Sequence, residues 1–198
     1  MYRFFLDAVA SVRFRFFAST HYRYSVFTVL AILLTICLVN VALFHNNEIY
    51  VLVIKPALNV DYAMDLFLAL VIILKWLLLS LTMGIFLRKS GQPAINWLGF
   101  ILITMALTNL PMILLLYWPQ QLTVINLCWQ IWIMCIQFFG FMRISQQSGF
   151  KIVGAYLVYT LLTSISILGL VSLFGLIGWI DIPLIKQGLE QFIATHPM

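Results

Sequence analysis

The chain has 198 residues, of which 64% are hydrophobic and 9% are charged, and its formal net charge is +5. A soluble domain carries about 25% charged residues, so this composition excludes a water-soluble globular protein and predicts one membrane domain with short loops. The positive charges lie at the ends of apolar stretches, which indicates contact with anionic lipid headgroups and argues against nucleic acid as a partner.

The first segment, residues 1–24, mixes arginines with aromatic side chains and is expected to be a helix that does not cross the membrane. On a helix Phe5, Val9, Val12 and Phe16 share one face. This pattern predicts an amphipathic helix that lies on the inner leaflet, and the alternative is a short cytosolic helix packed on the bundle. No cleavable signal peptide is evident, so the first apolar run is expected to be retained as a span.

Five later segments are apolar over the roughly 20 residues that a helix needs to cross about 30 Å of hydrocarbon. They are residues 25–44, 62–87, 94–118, 121–142 and 152–179. Helices satisfy their own backbone hydrogen bonds within lipid, and the alternating ten-residue pattern of a membrane β-barrel is not visible. The predicted fold is therefore all-α, a polytopic transmembrane bundle of five spans over residues 25–180.

The distribution of positive charges predicts the orientation of this bundle. With a cytosolic N-terminus, eight lysines and arginines fall on the inner side and two on the outer side, which predicts an N-in, C-out chain in a bacterial inner membrane. The inner residues are Arg3, Arg13, Arg15, Arg23, Arg88, Lys89, Arg143 and Lys151, and the outer ones are Lys55 and Lys186.

Two outer segments are expected to lie at the interface or on the bundle. The connection 45–61 has the apolar centre IYVLVIKPAL, which is unsuited to free solvent. The tail 181–198 begins with Asp181 as a predicted N-cap and Pro183 in the first turn, which favours a short amphipathic helix.

Lys75 lies near the middle of the second predicted span, too deep for its stem to bring the ammonium to water. An ammonium at this depth costs at least about 2.5 to 3.5 kcal/mol on insertion scales. No carboxylate lies at comparable depth, so the predicted partners are polar groups and carbonyls around Asn109 and Pro111. The functional interpretation is an anion, headgroup or partner contact; the alternative is a neutral or water-solvated lysine that fixes packing.

The fourth predicted span carries a polar seam, because Asn126, Gln130 and Gln137 are spaced to share one helical face. Tyr156, Thr160 and Thr163 lie on a similar face of the fifth span and are expected to contact this seam. One interpretation is hydrogen bonding between helices, worth about 0.6 to 2 kcal/mol per contact. The other is a polar pore or substrate path.

Backbone-altering residues interrupt two of the spans. Pro111 removes the hydrogen bond to the carbonyl of residue 107 and predicts a kink, with Thr108 or Asn109 satisfying the loosened backbone. In the fifth span, glycines are expected to allow close helix approach, and Gly169 or Gly175 to mark a bend. The glycines are Gly154, Gly169, Gly175 and Gly178.

Catalytic and metal-binding constellations are absent from the sequence, which predicts a protein that is not an enzyme and has no cofactor or metal. The histidines lie outside the cores of the spans and far apart in sequence. Asp61 and Asp65 form an i, i+4 pair at the outer mouth of the second span, which is either a cation site or a solvated helix start.

The second half of the chain resembles the Yip1-domain family over roughly residues 61–169. The resemblance is carried by WLLLSLTMGIFLRKSGQPAINWLGFILITMALTNLPMILLLYW and WQIWIMCIQFFGFMRISQQSGFKIVGAYLVYTLL, with Gly91 in a short turn and Pro111 in the span that follows. It implies five spans. Eukaryotic members act in vesicle trafficking and contact small GTPases, but this chain lacks their long polar N-terminal region, so the resemblance implies a protein of bacterial type.

Two functions follow as hypotheses. The first is a non-enzymatic membrane protein that binds other membrane proteins or its own copies, or organises the lipid bilayer around it. The alternative is a transporter or permease subunit with a polar path near Lys75 and the Asn126, Gln130 and Gln137 face. A water-filled cavity that reaches Lys75 from one side of the membrane favours the alternative, and a closed, packed bundle favours the first.

Overall fold

A computed structural model describes residues 1–88, 95–116 and 119–195, and every regular element among them is helical, as predicted. Shorter helical turns join the long elements, with 3-10 geometry at Ser19–Tyr22, Lys55–Ala57 and Leu110–Leu116 and π geometry at Tyr50–Ile54. The α-helices are α1 (Tyr2–Val12), α2 (Val26–His45), α3 (Ala63–Phe86), α4 (Leu98–Asn109), α5 (Pro119–Ser145), α6 (Gly149–Leu176) and α7 (Ile182–Thr195).

Within the described residues, four helices are long and apolar enough to cross a membrane, namely α2, α3, α5 and α6. Their ends lie within three residues of the predicted bounds 25–44, 62–87, 121–142 and 152–179. Ser25 begins α2 as an N-cap, since its Oγ accepts the backbone N–H of Thr28 at 3.2 Å. Such caps satisfy a donor that the first helical turn leaves free.

The third predicted span, 94–118, is divided in the structure. α4 ends at Asn109, and a 3-10 segment continues from Leu110 to Leu116. Pro111 lies at this change of geometry, because it has no N–H to continue the α-helical hydrogen bonding. Gly91 and the rest of the predicted turn at 89–94 lie outside the described residues.

α4 lies at the centre of the bundle, where it contacts α1, α2, α3 and α5. Its residues from Gly99 to Thr104 are all buried. Gly99 permits a close approach, since a Cβ there would lie 1.7 Å from the carbonyl oxygen of Tyr22. Gly140 on α5 does the same for the ring of Phe100, which would lie 2.1 Å from an added Cβ. These two glycines let α4 pack tightly against Tyr22 and α5.

Among the glycines predicted to allow close approach, Gly175 does so, since an added Cβ there would lie 2.4 Å from Cδ1 of Ile182, the first residue of α7. An added Cβ at Gly154 or Gly169 would meet nothing within 4 Å, so neither position allows a close helix approach. α6 also continues through Gly169 and Gly175 to Leu176 without a break. Gly178 follows the helix with φ +73°, the left-handed conformation in which glycine commonly ends a helix.

The N-terminal segment packs on the bundle, and two residues of its predicted membrane-facing side stay exposed. Phe4, Asp7 and Ala8 are buried where α1 contacts α4 and α5, whereas Phe5 and Val9 are each more than half exposed. Phe16, predicted to share their face, lies beyond the helix, which ends at Val12. α1 therefore packs on the bundle with an apolar outward face, and its location on the inner leaflet stays a prediction.

The loop between α2 and α3 and the C-terminal segment pack on each other. The backbone N–H of Asn59 donates to the carbonyl of Trp179 at 3.0 Å, and that of Asp181 donates to the carbonyl of Ala57 at 2.9 Å. Asp181 is the N-cap of α7 as predicted, since its Oδ1 accepts the N–H of Leu184 at 3.0 Å. The apolar loop centre is thus covered by α7 instead of floating in solvent.

Candidate functional site

A cavity of about 400 Å³ with a mixed polar and apolar lining lies between the helices, with walls from α2, α3, α4, α5 and α6 and from the 3-10 segment. It reaches the middle of α3, because Lys75 is the thirteenth of the 24 residues of that helix. Its polar lining consists of Asn40, Lys75, Thr108, Asn109, Gln130, Gln137, Tyr156 and Tyr159.

Most of the residues singled out from the sequence meet at this cavity. Five of the eight line it: Lys75, Asn109, Gln130, Gln137 and Tyr156. Asn126 joins through its Oδ1, which accepts a 3.4 Å hydrogen bond from Gln130 Nε2. Thr160 does not join, because it is exposed and its hydroxyl donates to the carbonyl of Tyr156 on its own helix at 2.9 Å.

One chain of hydrogen bonds through Gln137 joins α4, α5 and α6 beside the cavity. Gln137 Nε2 donates to Thr104 Oγ1 at 2.8 Å, and the phenol of Tyr156 donates to Gln137 Oε1 at 2.7 Å. Both ends of the Gln137 amide are used, so its orientation is fixed by partners on two other helices. The seam therefore makes the interhelical bonds that one interpretation expected, and it lines a cavity as well.

A second pair crosses between α2 and α4. Asn40 Nδ2 donates to Asn109 Oδ1 at 2.8 Å and also to the carbonyl of Ile36 at 2.8 Å. Asn109 Nδ2 donates to the carbonyl of Met105 at 2.7 Å. Sequence reasoning missed Asn40, although it is the sole amide side chain in the first predicted span. That isolation in an apolar stretch was the available signal.

The backbone freed near Pro111 is satisfied from α5 and not by the predicted neighbours. Trp129 Nε1 donates to the carbonyl of Leu107 at 2.8 Å, and Gln130 Nε2 donates to the carbonyl of Thr108 at 3.2 Å. The side chain of Thr108 bonds instead to the carbonyl of Thr104 at 2.8 Å, within its own helix. The break in the third span is thereby held to α5.

Lys75 lines this cavity with an exposed side chain, and it forms no hydrogen bond or ion pair with any residue that the structure describes. Asn109 shares the cavity with it, but the expected hydrogen bond between them is absent from the described contacts. None of the described lining residues is acidic. The site thus holds a lysine among amides and phenols, with no acidic residue in the described lining.

The other titratable groups of the described chain do not form a metal centre. No group of three histidines, cysteines or acids is arranged to hold a metal ion within residues 1–88, 95–116 and 119–195. Asp65 contacts His45, with Oδ1 and Nε2 2.7 Å apart, and the His45 ring stacks on Tyr50 at 4.5 Å. Burial raises the pKa of Tyr50, so this phenol stays neutral and protonated.

Comparisons of the chain with protein-family models, with curated proteins and with solved structures found no match. The resemblance to the Yip1-domain family therefore stays a prediction.

Proposed function

We propose that this chain is a non-enzymatic integral membrane protein that binds a polar, anion-bearing ligand in the Lys75 cavity, as a transporter or permease subunit does. The observation that carries the proposal is the position of Lys75 on a cavity of about 400 Å³ with no acidic residue in its described lining. A cavity of this volume falls within the range of about 300 to 1,000 Å³ that is typical of small-molecule sites.

Electrostatics favour an anion as the occupant. A charged lysine at mid-membrane depth costs at least about 2.5 to 3.5 kcal/mol unless a partner or water compensates it. The neighbouring amide nitrogens already donate within the protein, since Asn40 Nδ2 and Gln130 Nε2 each bond one backbone carbonyl and one asparagine side chain. Lys75 is the group left to bind a ligand, and the amide network holds the walls around it.

The same observation weighs against a purely organising role. The first hypothesis expected a closed, packed bundle, and the described helices leave a cavity at Lys75. A Yip1-like component that binds other membrane proteins or its own copies is the second candidate. It is supported by the apolar surface of α6, whose most apolar 18-residue window is only 11% buried within the chain.

We also propose that the chain crosses a bacterial inner membrane five times, with its N-terminus on the cytosolic side and its C-terminus on the opposite side. α4 and the 3-10 segment together extend about 32 Å at standard rises, which matches a hydrocarbon core of about 30 Å. The eight-to-two distribution of positive charges supports the orientation. Reporter fusions after Ser90 and at Met198 should report opposite sides of the membrane, and a cytosolic C-terminus would overturn the topology.

Ligand binding is tested by thermal unfolding of the detergent-purified protein in phosphate, acetate or glutamate, each compared with chloride at equal ionic strength. A bound anion at ten times its Kd stabilises the folded state by about 1.4 kcal/mol. At least one of these probes should raise the midpoint of the wild type by about 3 to 6 °C. The Lys75→Met variant should lose this increase.

Lys151→Met is the matched control, because Lys151 is exposed at the start of α6 and outside the cavity lining. Without ligand, Lys75→Met should be more stable than the wild type by about 1 to 3 kcal/mol, since it removes an uncompensated charge. If Lys75 only fixed packing, Lys75→Met would be less stable than the wild type. Equal anion responses in the wild type and in Lys75→Met would rule out the binding function.

A further inference from the structure

We infer that a second cavity, defined by Arg15 and Arg143, binds the phosphate of an anionic phospholipid. This cavity has a volume of about 840 Å³ and lies between the loop after α1 and the last two turns of α5. It is lined by Phe14, Arg15, Phe16, Phe17, Phe139, Met142 and Arg143. The inference stands apart from the Lys75 cavity, with which it shares no lining residue.

The charge of this cavity is uncompensated. The side chains of Arg15 and Arg143 are exposed, and neither forms a hydrogen bond or an ion pair with a residue that the structure describes. The acidic residue of the nearby helix α1, Asp7, is buried. Its Oδ1 lies 2.8 Å from His21 Nε2, and its Oδ2 accepts a 2.7 Å hydrogen bond from the Tyr24 hydroxyl. Two guanidinium groups without an acid fit a phosphate, which accepts charge-assisted hydrogen bonds from their planar forks.

The walls of the cavity fit the apolar part of a lipid. The Phe14 ring packs edge-on against Trp132 at 5.0 Å and against Phe139 at 5.8 Å. Trp132 is 43% exposed and Phe139 is 49% exposed, so the aromatic wall continues onto the outward surface of α5. A ligand held by the arginines therefore has apolar surface beside it along which an acyl chain can lie.

The backbone turns at Phe14 and brings both Phe14 and Arg15 to the cavity. Phe14 has φ +55°, a left-handed conformation that is unfavourable for a residue with a bulky side chain. It follows the end of α1, and its N–H donates to the carbonyl of Ser11 at 2.9 Å. The turn places the Phe14 ring on α5 and leaves Arg15 on the same cavity as Arg143. Strained backbone of this kind persists where surrounding packing holds it.

These features select a lipid phosphate over a soluble one, because a free phosphate ion would make no use of the aromatic wall. Both arginines also lie on the predicted inner side, where anionic lipid headgroups attract basic residues near the membrane surface. A lipid headgroup and inorganic phosphate both present a phosphate group, and competition between them distinguishes the two.

Native mass spectrometry of the detergent-purified full chain measures lipid binding directly. Phosphatidylglycerol and phosphatidylcholine are titrated separately, and the population of one-lipid adducts is followed. We expect the wild type to prefer phosphatidylglycerol. Arg15→Gln and Arg143→Gln should each weaken phosphatidylglycerol binding by roughly tenfold, because each removes one charge-assisted contact.

Arg23→Gln is the matched control, since it removes the same charge from the same predicted side outside the cavity lining. Arg15→Lys and Arg143→Lys keep the charge but lose the planar fork, so each should bind phosphatidylglycerol less tightly than the wild type and more tightly than the glutamine variant, which guards against loss through misfolding. Inorganic phosphate should not displace the lipid adduct at millimolar concentration.

Three results would overturn the inference. The first is equal binding of the two lipids by the wild type. The second is an equal loss of phosphatidylglycerol in Arg23→Gln, which would mean attraction by net charge alone. The third is displacement of the lipid by inorganic phosphate, which would mean a site for soluble phosphate.

Discussion

The indole Nε1 of Trp129 donates a 2.8 Å hydrogen bond to the backbone carbonyl of Leu107, across the interface between α5 and α4. In an uninterrupted α-helix that carbonyl would accept the N–H of residue 111, which is a proline and has none. The side chain on one helix thus replaces a backbone donor that the other helix lacks. This relationship couples the break in the third predicted span to the packing of α5.

Trp129→Phe is expected to destabilise the folded protein by about 1 to 3 kcal/mol, because it leaves the carbonyl of Leu107 without its donor. Pro111→Ala restores a backbone N–H that can donate to this carbonyl. The stability loss should therefore be smaller in the double variant Trp129→Phe/Pro111→Ala than in Trp129→Phe alone. A double-mutant cycle from unfolding free energies in mixed micelles measures this coupling.

Trp132→Phe is the control for that cycle, since Trp132 is 43% exposed and its indole makes no hydrogen bond with the described residues. It should show no coupling to Pro111→Ala. Additive effects of Trp129→Phe and Pro111→Ala would mean that the indole does not replace the missing backbone donor.

Tyr156→Phe is expected to cost about 0.6 to 2 kcal/mol of stability, since it removes the hydroxyl that donates to Gln137. Thr160→Val lies one turn further on α6 and should change stability by less than about 0.5 kcal/mol, because Thr160 is exposed and bonds only its own helix. Unfolding free energies of both variants measure this difference in stability. Equal losses would mean that Thr160 also belongs to the polar network.

Asp7→Ala is expected to loosen α1 from the bundle. The Asp7 carboxylate is buried and accepts hydrogen bonds from the Tyr24 hydroxyl and from the ring of His21 when that nitrogen is protonated. Hydrogen bonds to charged groups contribute about 1.5 to 3 kcal/mol each, so their loss should expose the helix. Amide hydrogen exchange over residues 2–12 should quicken, while α6 stays unchanged.

Leu6→Ala is the control for α1, because Leu6 is 51% exposed on the same helix. Its exchange pattern should match that of the wild type. Unchanged exchange in Asp7→Ala would show that apolar packing alone docks the helix.

Alkaline pH is expected to destabilise the same region. Burial, together with the hydrogen bond to Asp7, raises the pKa of Tyr24 above its usual value, so the folded state holds the phenol proton more tightly. An unfolded tyrosine ionises near pH 10, so this stabilisation is complete below about pH 10 and decreases as the pH rises beyond it. The expected slope is up to about 1.4 kcal/mol per pH unit.

Thermal midpoints between pH 8 and pH 11 measure this effect in the wild type and in Tyr24→Phe. The variant cannot release this proton, so its midpoint should fall less steeply than that of the wild type. Parallel curves would contradict the assignment to Tyr24 and would leave Tyr22, whose pKa burial also raises, as the responsible group.

The sequence by itself determined the class of the protein and the bounds of four of its long helices. Apolar length decides these features, because a helix within hydrocarbon continues for as long as its side chains are apolar and its backbone is self-satisfied. It also determined the N-cap at Asp181, since capping depends on neighbours within one turn. Five spans and the inward N-terminus remain predictions.

Only the tertiary structure decided which polar residues meet. Tyr156 and Thr160 share a helical face, yet the long phenol reaches Gln137 and the short hydroxyl bonds its own helix. The donors for the backbone freed near Pro111 come from α5, 22 residues away in sequence. Spacing along one helix orders residues on that helix, but the distance between helices decides contact. For that reason Lys75 was visible in the sequence, and its cavity was not.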